Sequence, residues 1–290
     1  LLDVLEKDPE LLNQNREILK SFYSVFKQAD ASLRFVFLTG VTKFSQVSVF
    51  SGFNQPLDIS MTEKFEALCG ITEEELHTQF AEPIRKMAES DGCTEEDIRQ
   101  KLKRHYDGYH FSKNMADIYN PFSLLNAFYN NDVRDYWFTS GTPSYLIRLM
   151  NHFHEGIDEL TNKFYLPDEF INYKADVEYP LPMIYQSGYL TIKDYDKESN
   201  LFLLDFPNNE VKSGFLAMVA TNYLQCTTSM ESWIVKAVFA LRRGQLEKFR
   251  KMLTSFLASI PYTMRRKENE RERERYFHYT FYLLLRLMSV

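Results

Sequence analysis

The sequence predicts an α+β fold that is predominantly helical. Amphipathic helical patterns recur from the first 30 residues to the last 20, and one short apolar run, Phe35–Leu38, is rich in β-forming residues. Two further strand-like runs flank a polar turn between residues 189 and 206. The chain has 290 residues, 44% of them hydrophobic, which is enough for at least one full core and indicates two modules rather than one.

The first element is a helix over residues 13–28. Its apolar side chains recur at helical spacing, so we expect one face to pack on the sheet that contains Phe35–Leu38. That face consists of Ile18, Leu19, Phe22, Val25 and Phe26.

Phe35–Leu38 is too brief for a buried helix, so it is predicted to be a buried parallel strand. Ligands of open α/β sheets collect at the carboxyl ends of strands, where a phosphate oxygen or an attacking water would be sensed. The polar residues at this end are Thr39, Thr42, Lys43 and Ser45. The chain has no Gly-x-x-x-x-Gly-Lys-Ser/Thr loop, so the residues alone favour a core strand with a polar C-terminal turn.

Local start signals predict the helices of the middle of the chain. Residues 72–75 and 94–97 each read as a threonine N-cap followed by an acidic first turn. Proline at the first helical position predicts helices near 121–129 and 143–152. The stretch 106–109, Tyr-Asp-Gly-Tyr, predicts a turn in which the glycine takes a positive φ.

The last third combines a hairpin with helices. Residues 179–186 predict a short helix closed by Gly188, and strands are expected at 189–193 and 201–206. A helix, a long-turned hairpin and another helix together resemble a winged-helix module. Three further helices are predicted beyond Met230, and they are expected around Trp233–Leu241, from Leu246 to Ile260 and from Glu270 to Met288.

Composition excludes several classes of protein. No stretch approaches about 18 consecutive apolar residues, so a membrane-spanning helix is not expected. Cys69, Cys93 and Cys226 lie far apart, which argues against a disulfide scaffold or structural zinc and favours a reducing cytoplasm. The first residue is Leu1 and no secretory signal follows it.

Charge gives no global attraction to nucleic acid, because the formal net charge is -6. The most polar stretch, residues 265–275, alternates in sign and is interpreted as a solvated helix face. Phosphate contacts by its arginines are the alternative, because aromatic residues adjoin them.

No complete catalytic set can be assembled from spacing. The triplet Glu210-Val211-Lys212 has the acid-x-Lys form of a metal-dependent nuclease, but the preceding Pro207-Asn208-Asn209 breaks the strand that such a site requires. Glu210 is therefore interpreted as a helix-capping residue. His152 and His154 are two residues apart on a predicted helix and cannot share a metal, whereas His105 and His110 flank the turn at 106–109.

Six phrases carry a family resemblance. They occur in order along most of the chain: FVFLTGVTKFS at 35–45, YDGYHF at 106–111, YNPFSLL at 119–125, YWFTSGTPSYL at 136–146, QSGYLTI at 186–192 and FPNNEV at 206–211. Together they resemble bacterial AAA-ATPase-like proteins that are fused to a C-terminal PD-(D/E)XK nuclease-superfamily domain.

The resemblance implies that both catalytic centres lie outside this chain. It places the phosphate-binding loop and an acidic metal-binding strand before Leu1, and it places the nuclease Asp and Glu-x-Lys strands after the last helix. Thr39 and Lys43 would match the sensor strand that reads the γ-phosphate side of a nucleotide. Glu274 would match the helix-borne acid that some nucleases of this superfamily add to their metal site. ATP and Mg²⁺ are thus expected for the parent protein, and neither a cofactor nor a metal site for this chain alone.

The expected organisation has four parts. Residues 1–60 would form the C-terminal part of a P-loop-type ATPase-like α/β core, 61–175 a helical lid, 176–229 a winged-helix-like module, and 230–290 the helical lead into a nuclease-like domain.

Two functional hypotheses follow. The first is that the chain belongs to a nucleotide-regulated, nucleic-acid-processing protein and is inactive in isolation; whether the parent is an active ATPase or nuclease stays open. The second is a non-catalytic regulatory module with an eroded ATPase fold that binds DNA or a protein. DNA or RNA and a protein are the candidate partners, and no membrane is expected.

Overall fold

The computed structural model describes residues 9–40, 57–137, 160–171, 180–224, 230–259 and 270–288. The α-helices in these ranges are α1 (Pro9–Gln28), α2 (Glu73–Gln79), α3 (Ala81–Asp91), α4 (Glu95–Tyr106), α5 (Pro121–Asn130), α6 (Pro167–Ile171), α7 (Leu181–Gln186), α8 (Asn209–Leu224), α9 (Met230–Arg242), α10 (Leu246–Ser259) and α11 (Glu270–Leu287). Short 3-10 helices span Asp30–Ser32 and Glu63–Phe65. The strands are β1 (Ile71–Thr72), β2 (Ile118–Tyr119), β3 (Lys163–Tyr165), β4 (Thr191–Asp196) and β5 (Leu201–Asp205). The predicted class, predominantly helical α+β, is confirmed.

The chain divides into two compact units, each assembled from three separate stretches. The first unit comprises Leu1–Ala81, Asp107–Pro121 and Leu160–Pro207, and the second comprises Glu82–Tyr106, Phe122–Glu159 and Asn208–Val290. The predicted organisation in four consecutive parts stays a prediction.

A three-stranded antiparallel sheet with the order β3-β5-β4 lies in the first unit. Strands β4 and β5 form the predicted hairpin, whose turn ends at Asn200 with a φ of 54°. Phe202 and Leu204 alternate with half-buried neighbours and point into the core, as expected for a strand with one covered face. The ring of Phe170 from α6 packs edge-on against that of Phe202 with 5.6 Å between centroids.

A second, two-stranded pairing brings distant parts of the first unit together. Ile71 of β1 lies opposite Tyr119 of β2, and Thr72 lies opposite Ile118. Strand β1 leads directly into α2, which buries Leu76 completely. The segment between α4 and α5 is thereby fixed against the residues that precede α2.

Helix α8 is at the centre of the second unit and packs against α4, α9 and α11. Because it has helical neighbours on several sides, its buried side chains do not follow a single stripe. The apolar ones are Val211, Phe215, Leu216, Met218, Val219 and Ala220. Helices α9 and α10 meet through Trp233 and Phe256, whose ring centroids are 4.7 Å apart.

The sequence predicted the long helices well. The expected helix at 13–28 is α1, the two threonine caps begin α2 and α4, and the proline-started helix at 121 is α5. The short helix before Gly188 and all three helices beyond residue 230 are also present. The helix expected at 143–152 lies outside the described residues, and so do His152 and His154. The winged-helix interpretation of the hairpin region stays a prediction.

The predicted buried strand at Phe35–Leu38 is not found. Residues 35–40 have no regular secondary structure, and Phe35 is 80% exposed. A β-strand requires a neighbour to accept and donate its backbone hydrogen bonds, and no described segment pairs with this one. The rings of Phe35 and Phe37 instead stack on each other with centroids 6.4 Å apart.

None of the helices in the described ranges is long and apolar enough to cross a membrane.

Candidate functional site

Of the two predicted nucleotide-sensing residues, Thr39 lies at the end of the exposed segment that follows α1. Thr39 is exposed, one residue after the apolar run ends. Lys43 lies outside the described residues. Glu274 belongs to the backbone of α11 in the second unit, whereas Thr39 belongs to the first.

A shallow cleft of about 240 Å³ lies between the end of α1 and the start of this segment. It is lined by Phe26, Lys27, Asp30, Leu33, Arg34, Phe35 and Val36. Around it, the apolar face of α1 is open to solvent: Ile18 is 64% exposed and Phe22 is 59% exposed. The helix is amphipathic as predicted, but the described part of the chain does not cover its apolar face.

A polar junction in the first unit joins three of the phrases that carry the family resemblance. The Lys193 Nζ of β4 donates hydrogen bonds to the backbone carbonyls of Gly108 and Pro207, each at 2.8 Å. Gly108 has a φ of +90°, as the turn prediction required. A β-carbon at Gly108 would lie 2.5 Å from the Pro207 oxygen, so only glycine allows this close approach.

His110 strengthens the same junction. Its backbone N–H donates to Thr191 Oγ1 at 2.8 Å, and its ring Nδ1 lies 2.6 Å from the Ile192 carbonyl oxygen. Since a carbonyl oxygen only accepts, Nδ1 carries a hydrogen and donates it. The Nε2 atom lies 2.7 Å from Asp117 Oδ1. The imidazole therefore ties the 106–111 turn to β4 and to the residue that precedes β2.

The electrostatics of the junction are dominated by burial. Desolvation lowers the pKa of the Lys193 ammonium, although the nearby carboxylates of Asp117, Asp205 and Asp107 act in the opposite direction. With its Nζ committed to two carbonyls, Lys193 cross-links the backbone. We interpret the junction as structural, because it fixes the relative positions of the turn, β4 and the residues that follow β5.

A second polar junction lies at the start of α8. Asn208 provides the N-cap, because its Oδ1 accepts the Val211 N–H at 3.1 Å. Glu210, which is 0% exposed, holds a different segment: its Oε1 accepts the backbone N–H groups of Tyr136 at 2.5 Å and Trp137 at 2.9 Å. The sequence correctly placed Glu210 in the first turn of a helix, but its interpretation as the capping residue was wrong.

The surroundings of Glu210 both raise and lower the pKa of its carboxyl. Burial raises the pKa of its carboxyl, and this effect exceeds the lowering by the Trp137, Ser123 and Tyr136 hydrogen bonds and by His105. The His105 ring is itself 2.7 Å from Asp135 Oδ1. In the acid-x-Lys triplet, Glu210 thus binds backbone amides and Val211 is buried in the core.

Within the described ranges, no three histidine, cysteine or acidic side chains are grouped so that they would hold a metal ion. The sequence had singled out Glu210 and His110 but had missed their partners Tyr136 and Asp117, and it had also missed Lys193, which binds the Gly108 and Pro207 carbonyls. Lys193 ends a predicted strand whose other residues are mostly apolar. This position could have indicated that its ammonium binds acceptors within the protein, because a buried cation requires them.

Comparisons with known proteins find a family similarity for the N-terminal part of the chain. The sequence model of a family described as predicted AAA-ATPase matches residues 1–50. An uncharacterized protein in the vnfD 5′ region of Azotobacter chroococcum mcd 1 is 32% identical over 287 residues, which cover 97% of this chain and 52% of that protein. The chain thus spans about half the length of this relative. No solved structure matches. The first 50 residues are therefore similar to predicted AAA-ATPases.

Proposed function

We propose that this chain supplies the C-terminal part of an ATPase-like core, together with regulatory helices and a hairpin, in a nucleotide-regulated protein that processes nucleic acid. The observation that carries the proposal is the match of residues 1–50 to the predicted AAA-ATPase family. The nucleic-acid part and the nuclease-like C-terminal region rest on the six phrases that resemble the fused family.

The exposed face of α1 supports the first part of this proposal. Phe35, Phe37 and Leu38 are 80%, 52% and 40% exposed, and Ile18 and Phe22 of α1 are exposed as well. An amphipathic helix followed by a short apolar run is the sequence pattern of an α/β unit. Such side chains are normally covered when neighbouring strands complete a sheet. We infer that additional strands of an ATPase-like core cover this face in the parent protein.

We do not expect this chain alone to hold a nucleotide. The sequence has no glycine-rich phosphate-binding loop, and Thr39 is the described polar side chain at the end of the apolar run. ATP with Mg²⁺ would supply the phosphate chemistry in the parent protein. Thr39 and Lys43 would add a hydroxyl donor and a positive charge on the γ-phosphate side.

The test is the rate of Mg²⁺-dependent ATP turnover by the complete gene product. We expect Thr39→Val and Lys43→Ala to lower the rate by about 10-fold or more, because a donor that stabilises developing charge typically contributes at least this much. Thr78→Val and Lys86→Ala, on exposed helix surfaces, are the matched controls and should leave the rate unchanged. Turnover by the purified 290 residues alone, or wild-type rates in both variants, would contradict the proposal.

A second candidate function is a non-catalytic regulatory module that binds DNA or a protein. The exposed apolar face of α1 favours its protein-binding form, because such faces mark protein interfaces more often than nucleic-acid contacts. Salt dependence separates the two partners: binding to DNA should weaken steeply as the salt concentration rises, whereas binding through an apolar protein interface should change little.

A further inference from the structure

Positive charge is concentrated on the helical hairpin that α9 and α10 form. Residues 232–259 contain six basic residues and one acidic residue, Glu247, although the formal net charge of the whole chain is -6. All six basic residues are exposed. They are Lys236, Arg242, Arg243, Lys248, Arg250 and Lys251, and we call them the basic patch. The sign of the charge on this surface is therefore opposite to that of the chain as a whole.

The antiparallel packing of α9 and α10 brings most of the basic patch to one end of the helical hairpin. The ring of Trp233, near the start of α9, lies against that of Phe256 in the second half of α10. Gly244, with a φ of 67°, lies in the short turn that joins the helices at the other end. Five residues of the patch surround this turn. They are Arg242 and Arg243 at the end of α9 and Lys248, Arg250 and Lys251 early in α10.

Little of this charge is neutralised within the described ranges. Arg250 forms an ion pair with Glu247 at 3.0 Å, and the other five residues of the patch have no acidic partner among the described side chains. The Arg243 guanidinium instead lies over the exposed ring of Phe239, with its central carbon 3.9 Å from the ring centroid. Stacking on a ring does not use the N–H donors of a guanidinium, so they remain available to an anion.

Another pair of helices in the same unit shows that excess positive charge is not a general property of its surface. Residues 82–106, which include most of α3 and all of α4, contain six basic and six acidic residues. Ion pairs form among them: Lys86 lies 3.0 Å from Glu82, and Lys101 lies 2.8 Å from Asp91. Charge is balanced on α3 and α4, whereas on α9 and α10 it is not.

We propose that the basic patch binds the phosphate backbone of a nucleic acid. This inference rests on the nucleic-acid part of the proposed function and assigns the contact to a surface of this chain. Lysine and arginine side chains that neutralise phosphates release counterions, which supplies most of the affinity that does not depend on sequence. Phe239 adds an exposed aromatic ring beside Arg243, and basic residues interleaved with aromatic rings are typical of surfaces that bind nucleic acid.

The composition of the surface favours a nucleic acid over an anionic membrane. A helix that lies on a membrane buries a broad apolar face among the lipids. The large exposed apolar side chains of residues 232–259 are Val235, Phe239 and Leu246, which is half the number of basic residues there. Charge thus dominates the surface, as expected for a partner that is recognised through its phosphates.

Binding of labelled DNA to the 290-residue chain tests the patch. A fluorescein-labelled DNA of mixed sequence, as a duplex and as a single strand, is titrated by fluorescence anisotropy over a range of salt concentrations. The patch variant combines Arg242→Gln, Arg243→Gln, Lys248→Gln and Lys251→Gln. We expect it to bind about tenfold more weakly or worse at low salt. The slope of log Kd against log salt concentration should fall by about 0.9 for a duplex, or about 0.7 for a single strand, for each phosphate contact that is lost.

A matched variant removes the same charges from elsewhere in the second unit. It combines Arg85→Gln, Lys86→Gln, Lys103→Gln and Arg104→Gln, which are likewise two arginines and two lysines at exposed positions. Its affinity should change by less than about threefold, because charges far from the bound DNA are screened by salt.

A third variant tests the patch by a gain of binding. Glu247→Gln removes the acidic residue of the helical hairpin and releases Arg250 from its ion pair. It should tighten binding by about two- to fivefold. This result keeps the test decisive if the patch variant does not fold.

The patch is overturned if the patch variant binds DNA as the wild type does, if the matched variant loses as much affinity, or if Glu247→Gln binds no more tightly. It is also overturned if the 290-residue chain binds vesicles of anionic phospholipid but neither form of DNA. The complete gene product distinguishes this failure from failure of the proposed function. If the complete protein binds DNA and the 290 residues do not, the patch is wrong and the nucleic-acid part of the proposed function stands. If neither binds, both are wrong.

Discussion

At the residue scale, one glycine and one lysine determine the path of the chain through the 106–111 turn. Gly108 brings its carbonyl within 2.8 Å of Lys193 Nζ, and the same ammonium binds the Pro207 carbonyl. The positive φ and the close approach to Pro207 are separate requirements, and only the first is a local property of the turn.

The two requirements can be measured separately. Gly108→Ala should lower the free energy of unfolding by about 2–4 kcal/mol, because the new β-carbon adopts an unfavourable φ and also meets the Pro207 oxygen. Gly244→Ala is the matched control, since Gly244 has a φ of +67° with open space around it, and should cost about 1 kcal/mol. Denaturant unfolding of both variants checks this; equal losses would show that the Pro207 contact contributes nothing.

At the scale of elements, α2 illustrates how local chemistry begins a helix. Thr72 Oγ1 accepts the Glu75 N–H at 3.2 Å, and Glu75 Oε2 accepts the Thr72 N–H at 2.9 Å. This is a complete capping box. It supports a helix of seven residues, which is too short to be stable without caps and packing.

Removal of the cap should therefore be measurable. Thr72→Ala should destabilise the first unit by about 1 kcal/mol, because the Glu75 amide loses its acceptor. Thr78→Ala, in the last turn of the same helix, should change stability by less than about 0.5 kcal/mol, since its exposed hydroxyl only bonds a carbonyl of its own helix. Urea unfolding of the two variants measures both changes in the free energy of unfolding. An equally large loss of stability in Thr78→Ala would argue against the capping box as the cause.

The elements that the sequence predicted are those with signals inside their own span. The caps of α2 and α4, the proline that begins α5 and the turn of the β4–β5 hairpin all act over a few residues. Strand β3 was missed, because its three residues become a strand only by pairing with β5, which lies some forty residues later. The prediction of a strand at Phe35–Leu38 was wrong for a related reason, because its apolar pattern does not specify a strand with which it could pair.

At the scale of the whole molecule, each unit is assembled from stretches that are far apart in the sequence. Glu210 meets Tyr136 across 74 residues, and Lys193 meets Gly108 across 85. Sequence reasoning identified Glu210 and His110 as unusual, but it had no means of finding their partners, because such contacts depend on the tertiary path of the chain. The same limit applies to Thr39, whose proposed role depends on residues that complete the ATPase-like core.

Equilibrium binding of Mg²⁺-ATP, compared between the complete gene product and the 290-residue chain, tests the central claim most directly. We predict saturable binding by the complete protein and none by the 290 residues, because this sequence contains no phosphate-binding loop. Absence of binding by the complete protein would contradict the ATPase-like assignment and favour the non-catalytic module. Equal binding by both would show that this chain holds the nucleotide through residues other than those proposed.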